Sequence, residues 1–214
     1  MIDQHKPTKA EHVSDDPRDV AAARKAGKPF NLPNMLTWLR MLAIPLLVAV
    51  FFLPVEQRVA NTVATTLFIV AAITDWFDGW LARRLGQTSA FGAFLDPVAD
   101  KLLVCAALVM LVELQRVEGL VALIIIGREI AISALREWMA QIGARASVAV
   151  HSLGKFKTIA QLVAIPMLLF DSRLFGVIDC RVAGTWLIYI AALLTLWSMF
   201  YYLRRAWPFL RESL

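Results

Sequence analysis

Six apolar runs divide this chain, each close to the 20 or so residues that cross a bilayer as a helix. The first covers residues 35–53, is interrupted only by Arg40, and stops at Pro54, which cannot continue a helix. The second, 60–81, carries Asp75 and Asp78 towards its end. The third, 91–114, carries Asp96, Asp100 and Lys101 near its start. Gly127-Arg128-Glu129 breaks the apolar character of the fourth, 117–139, in its middle. The fifth, 153–170, has Lys155 and Lys157 in its first turns, and the sixth, 182–203, has no charge. This pattern predicts an all-α integral membrane protein with six transmembrane helices. Residues 1–30 differ: they mix six Lys or Arg with five Asp or Glu and contain no apolar run. They predict a polar cytoplasmic tail, partly disordered, with a short interfacial helix near 17–28. A single helical domain follows over 31–214.

Composition agrees. Hydrophobic residues make up 59% of the chain and charged residues 18%, against about 45–50% and about 25% in soluble domains. Two Cys in 214 residues exclude a disulfide scaffold. Charge then sets the orientation. With six spans, 18 of the 22 Lys and Arg fall on one side, and the other keeps Arg58, Arg116, Arg173 and Arg181. Positive residues accumulate in cytoplasmic loops, so both termini are predicted to be cytoplasmic. Trp138, Tyr201, Tyr202 and Trp207 fall near the same boundary, as interfacial anchors do.

Four carboxylates inside apolar runs need a reason, because a charge at the bilayer centre costs about 2.5–3.5 kcal/mol on insertion scales. At about 100° per residue, Asp75, Asp78, Gly79 and Ala82 share one helical stripe. Gly92, Asp96 and Asp100 form another on the next helix. The loop between them is short, so the two helices are expected to form an antiparallel hairpin with the stripes facing. Facing carboxylates repel unless a counter-charge is present. Hard divalent cations, magnesium or manganese, supply one and accompany substrate phosphates. Two such ions about 3.5–4 Å apart clamp the oxygens of a phosphoryl displacement, and Arg83 beside the stripe suits the outer phosphate oxygens. Two other readings remain open at this point. The acids either cap helices (Asp96-Pro97 as an N-cap followed by a first-turn proline) and pair with Lys101 and Arg83, or they line a cation or proton pathway.

The full motif reads Asp75-x2-Asp78-Gly79-x2-Ala82-Arg83-x8-Gly92-x3-Asp96-x3-Asp100. It resembles the signature of the CDP-alcohol phosphotransferases at every defined position. The wider chain resembles the bacterial phosphatidylglycerophosphate synthase branch of that family, at 31–40 (NLPNMLTWLR), 74–101, 127–140 (GREIAISALREWMA), 154–158 (GKFKT) and 194–199 (LTLWSM). The tail before residue 31 departs from that branch and touches no motif.

The resemblance implies a multi-pass enzyme of the bacterial cytoplasmic membrane, a homodimer whose active site faces the cytoplasm. It would join CDP-diacylglycerol to sn-glycerol 3-phosphate, releasing CMP and phosphatidylglycerophosphate. By the same resemblance two divalent cations are held by Asp75 and Asp96, which touch both, with Asp78 completing one site and Asp100 the other. Asp100 is also the implied general base. Asn34, Thr37, Gly79, Arg83 and Ser89 line up with the family's CDP contacts. An acceptor with its own phosphate needs cations, and Arg128, Arg136, Lys155 and Lys157 are assigned to it; Arg145 follows more weakly. Arg128 has a local alternative, pairing with Glu129 or a neighbouring helix, and Lys155 and Lys157 also fit positive-inside topology. No nucleic-acid partner is expected. The competing functions are the same chemistry on another acceptor (serine, inositol phosphate or a cardiolipin precursor) and an ion-coupled transporter. The chain shows none of the internal repeats that transporters commonly have.

Overall fold

The computed structural model describes residues 32–85, 90–142 and 152–212. Within those stretches, the side chains at 32–34, 76–85, 90–94, 152–155, 205, 208–210 and 212 lie outside the description. The expected tail, with its interfacial helix, also lies outside the described residues.

Six α-helices account for nearly all of what is described: α1 (Leu32–Ala49), α2 (Gln57–Leu85), α3 (Ala90–Glu113), α4 (Gly119–Gln141), α5 (Ser152–Phe170) and α6 (Cys180–Glu212). Each covers most or all of one of the six apolar runs. A short 3₁₀ turn, Val50–Phe52, extends α1 up to the predicted stop before Pro54. Among the described residues, two stretches are long and apolar enough to cross a membrane by length and composition, Met35–Phe52 and Cys180–Arg204.

Helix ends depart from the apolar runs in informative ways. α2 continues four residues past residue 81 through Ala82-Arg83-Arg84-Leu85, whose polarity hides it from a hydropathy reading. Asp75 therefore lies ten residues before the helix end, beyond reach of the macrodipole effect, which fades within the last turn. α3 begins at Ala90, so Asp96-Pro97 is not a helix start. Pro97 lies inside the helix and leaves the Ala93 carbonyl without its usual amide donor, as Pro45 and Pro166 do in α1 and α5. The Gly127-Arg128-Glu129 interruption leaves α4 continuous.

A small hairpin, Arg173–Leu174 with Ile178–Asp179, joins α5 to α6 and was not expected from the sequence. Its turn places Phe175 and Gly176 at positive φ, 52° and 73°, the signature of a type I′ turn. Asp179 then caps α6: its Oδ1 accepts from the amides of Arg181 and Val182 at 3.1 and 3.2 Å.

The helices enclose one main apolar core around Leu47, Phe68, Leu108, Leu111, Ile125 and Leu168. α5 and α6 form the most extensive contact, and α1 lies against both α2 and α3. The loop of the expected α2–α3 hairpin, 86–89, lies outside the described residues. Among the described residues those two helices touch each other less than either touches α1, yet Asp75 of α2 and Asp100 of α3 meet at Arg40 of α1.

The α5–α6 seam is close because Gly184 has no side chain. A Cβ there would stand 2.8 Å from Leu168 Cγ and 3.2 Å from the Ala164 carbonyl oxygen. Gly184→Ala is expected to lower stability by about 1 kcal/mol through overpacking, read as a lower midpoint of thermal unfolding in detergent. An unchanged midpoint would show that Leu168 gives way freely.

At the other end of the bundle from Leu85 and Ala90, Arg116 fastens three elements. It donates to the Leu168 and Leu169 carbonyls at 3.1 and 2.8 Å and to Asn61 Oδ1 at 2.9 Å, and it pairs with Asp171. A cation at the C-terminus of α5 is favoured by the helix dipole. Burial pulls this guanidinium below its ordinary pKa while Asp171 pushes it back. Arg116 is thus a structural fastener.

Candidate active site

Thr37 and Arg40 are one helical turn apart on α1, so they share a face. Asp96 and Asp100 are likewise one turn apart on α3. Thr37 Oγ1 donates to Asp96 Oδ1 at 2.6 Å, and Arg40 Nη1 donates to Asp100 Oδ1 at 2.6 Å. Both partners advance together, so α1 and α3 run parallel here, as an up-down-up order with α2 requires. The same Arg40 Nη1 lies 2.8 Å from Asp75 Oδ1 on α2. One guanidinium nitrogen therefore draws in a carboxylate from each of two helices.

Arg40 is 1% exposed, while the side chains of Asp75 and Asp100 each keep 42% exposure. The cation lies below the acids, and the acids face an opening. In the sequence Arg40 stands only as an interruption of an apolar run and a charge on the expected cytoplasmic side. A signal for its larger role existed, since a lone arginine within a span needs a partner.

Three of the four predicted metal ligands thus gather at one level of the bundle, and Asp96 and Asp75 both act electrostatically on Asp100. The side chain of Asp78 lies outside the described residues. Among the described residues no group of three or more acidic, His or Cys side chains is arranged as a metal cluster. The donor set nevertheless suits hard cations. All three groups are carboxylates, they come from adjoining helices, and a positive charge already joins two of them. Gly79 and Arg83 fall on the last turns of α2 and Asn34 on the first turn of α1, with side chains outside the description. Ser89 lies outside the described residues altogether.

The second predicted group assembles around Glu129. Its Oε1 accepts from Arg128 Nη1 at 2.9 Å and from Lys157 Nζ, which reaches across from α5. α4 and α5 scarcely touch, so this ion pair spans a gap between them. Arg128 also donates from Nη2 to Ser198 Oγ at 3.2 Å and lies 5.9 Å from the Tyr202 ring centre, both on α6. A buried arginine in mid-helix is thereby given a carboxylate, a hydroxyl and an aromatic face. The local pairing that the sequence left open for Arg128 is present. Arg136 is exposed and within electrostatic range of Lys157. Lys155 is on the first turn of α5 with its side chain outside the description, and Arg145 lies outside the described residues.

A cavity of about 190 Å³ connects the two groups. Asp75, Asp100, Lys101, Glu129, Thr158 and Gln161 line it together with apolar residues that include Phe68 and Leu103, while Arg128 and Lys157 are buried outside its lining. Glu129 stands in the sequence only as a partner for Arg128, and no neighbour in sequence marks Gln161. A polar amide inside the apolar run 153–170 is the available signal.

The family model described as CDP-alcohol phosphatidyltransferase matches residues 30–197. The chain belongs to the CDP-alcohol phosphatidyltransferase family. That match spans all the residues lining the cavity and both groups of charges. This family is membrane-associated and uses divalent metal ions. Among curated members similar to this chain, one from Salmonella choleraesuis and one from Escherichia coli K12 are each 51% identical over 179 residues. Those residues are 83% of this chain and 95% of each relative. A Haemophilus influenzae member is 49% identical over the same share of this chain and 94% of its own length. All three are named CDP-diacylglycerol--glycerol-3-phosphate 3-phosphatidyltransferase.

Proposed function

We propose that this chain transfers the phosphatidyl group of CDP-diacylglycerol to sn-glycerol 3-phosphate, giving phosphatidylglycerophosphate and CMP. Relatives of that name about half identical over most of the chain support the reaction. The observation that carries the site reading is a cavity lined by Asp75, Asp100 and Lys101 and also by Glu129, the carboxylate that pairs with Arg128 and Lys157. A phosphorylated acceptor needs both ends, an acidic centre for its reacting hydroxyl and cations for its phosphate. An ion-coupled transporter has no use for such an asymmetric pair.

In this reading Asp75, Asp78, Asp96 and Asp100 would hold two divalent cations, magnesium or manganese. When bound, these would supply neutralising charge to the diphosphate and to the departing CMP. The chain's own residues do the rest. Thr37 and Arg40 fix the carboxylates on α3, so the site is organised before substrate arrives. Asn34, Thr37, Gly79, Arg83 and Ser89 bind the CDP moiety, with Asp75 and Asp78 beside it. Asp100 accepts the proton of the acceptor hydroxyl as its oxygen bonds to the β-phosphorus and the bond from that phosphorus to the CMP oxygen breaks. Positioning and electrostatics dominate such a displacement. Arg128, Arg136, Lys155 and Lys157 receive the acceptor phosphate, with Glu129 holding two of them apart from the carboxylate centre.

The setting is a bacterial cytoplasmic membrane, with six spans, both termini and the cavity mouth on the cytoplasmic side, and a homodimer as the working unit. Large apolar side chains exposed on every helix support this, among them Leu42, Ile73, Val109, Leu123, Val163 and Leu193. Such surfaces are stable in lipid and not in water. The acyl chains of the substrate then stay in the bilayer while its head group reaches the acids. The tail, 1–30, precedes the catalytic domain on the cytoplasmic side.

Purified protein given CDP-diacylglycerol and magnesium is expected to release CMP with sn-glycerol 3-phosphate and not with serine or inositol phosphate. Release with serine alone would overturn the acceptor. Arg128→Ala is expected to raise the KM for sn-glycerol 3-phosphate about tenfold or more, the worth of one charge-assisted hydrogen bond. An unchanged KM would put the acceptor phosphate elsewhere.

A further inference from the structure

Gln161 lies one turn beyond Lys157 on α5, on the face turned to the cavity. It is 5% exposed, and its amide Nε2 has no hydrogen-bond partner among the described residues. A buried polar group left unpaired is costly, and native proteins rarely retain one without a use. Apart from Thr158, whose side chain has a partner of its own, the other polar groups lining the cavity are charged: Lys101; Asp75 and Asp100, which bind Arg40; and Glu129, which binds Arg128 and Lys157. Gln161 is neutral, and by rotating its amide it offers either a donor or an acceptor.

The acceptor proposed above has three functional groups. Its reacting hydroxyl suits the acidic wall and its phosphate suits the cations. Its second hydroxyl, on the central carbon, does not react and carries no charge. A hydroxyl is both donor and acceptor, the chemistry that an amide matches and that a carboxylate or ammonium does not. We propose that the Gln161 amide binds the central hydroxyl of the three-carbon acceptor and so selects both its presence and its handedness. This rests on the glycerol 3-phosphate reading of the site. Two contacts at the ends of a three-carbon chain do not distinguish mirror images. A third contact at the central carbon does.

The test compares three acceptors: sn-glycerol 3-phosphate, its mirror image sn-glycerol 1-phosphate, and 3-hydroxypropyl phosphate, which lacks the central hydroxyl. Sites built to bind a substrate hydroxyl reject analogues without it strongly. The wild-type enzyme is expected to favour sn-glycerol 3-phosphate over both by roughly 100-fold or more in kcat/KM. Gln161→Met, an unbranched side chain of similar length, should lower kcat/KM for sn-glycerol 3-phosphate about 10- to 100-fold. Its kcat/KM for 3-hydroxypropyl phosphate should change less than about twofold, so the preference collapses. Equal losses on both acceptors would mark Gln161 as packing and overturn the proposal. So would a wild-type enzyme indifferent to the central hydroxyl, which needs no variant to be seen. Failure of the wild type to use sn-glycerol 3-phosphate at all would instead overturn the acceptor reading beneath it.

Discussion

Asp100→Asn is expected to leave the protein folded and binding CDP-diacylglycerol while lowering kcat by about 10²–10⁴-fold, the range of a lost general base. The amide is nearly isosteric with the carboxylate, and its oxygen still accepts from Arg40, so the bond that holds Asp100 on α3 against α1 survives. What disappears is the capacity to take the proton from the acceptor hydroxyl, together with one negative charge at the cation site. CMP release under saturating substrates measures the first effect. Thermal stabilisation by CDP-diacylglycerol measures whether binding persists. Turnover close to wild type would remove Asp100 from the role of base.

The second large effect concerns Arg40. Arg40→Met keeps an unbranched apolar stem and deletes the charge that joins Asp75 to Asp100. Removing one partner of a fully buried ion pair costs about 3–5 kcal/mol. The two acids retain 42% exposure, so solvent reduces the penalty, and about 2 kcal/mol is expected. For a chain of this size that lowers the unfolding midpoint by roughly 4–8 °C in chelator. Added manganese should raise the midpoint of the variant more than that of the wild type, because the cation then supplies the missing counter-charge. Turnover should fall as well, since the acids lose their fixed arrangement. Equal midpoints in chelator would show that Arg40 does not organise the acids.

Both predictions turn on residues of which only one was legible in advance. The four acids stood out because their spacing repeats the helical period on two successive runs, and Arg83 stood out beside them. Arg128 and Lys157 were legible as buried cations near one boundary. Arg40 and Gln161 had the same kind of signal, a polar side chain in an apolar run, but no neighbour in sequence indicated a partner. Ser198 was hidden similarly among the last apolar residues.

The chain's own order of residues determined the helices, their approximate limits and the placing of the acids on stripes. These depend on interactions between positions three or four apart, which any reading of periodicity captures. Only the tertiary structure decided that Arg40 on α1 joins Asp75 on α2 to Asp100 on α3, and that Glu129 holds Arg128 and Lys157 over a gap. Those partners are 60 and 28 residues apart. Their meeting is set by which helix faces pack together, through small residues such as Gly184 and through long-range fasteners such as Arg116. That choice is made by the whole bundle at once, and no local pattern contains it.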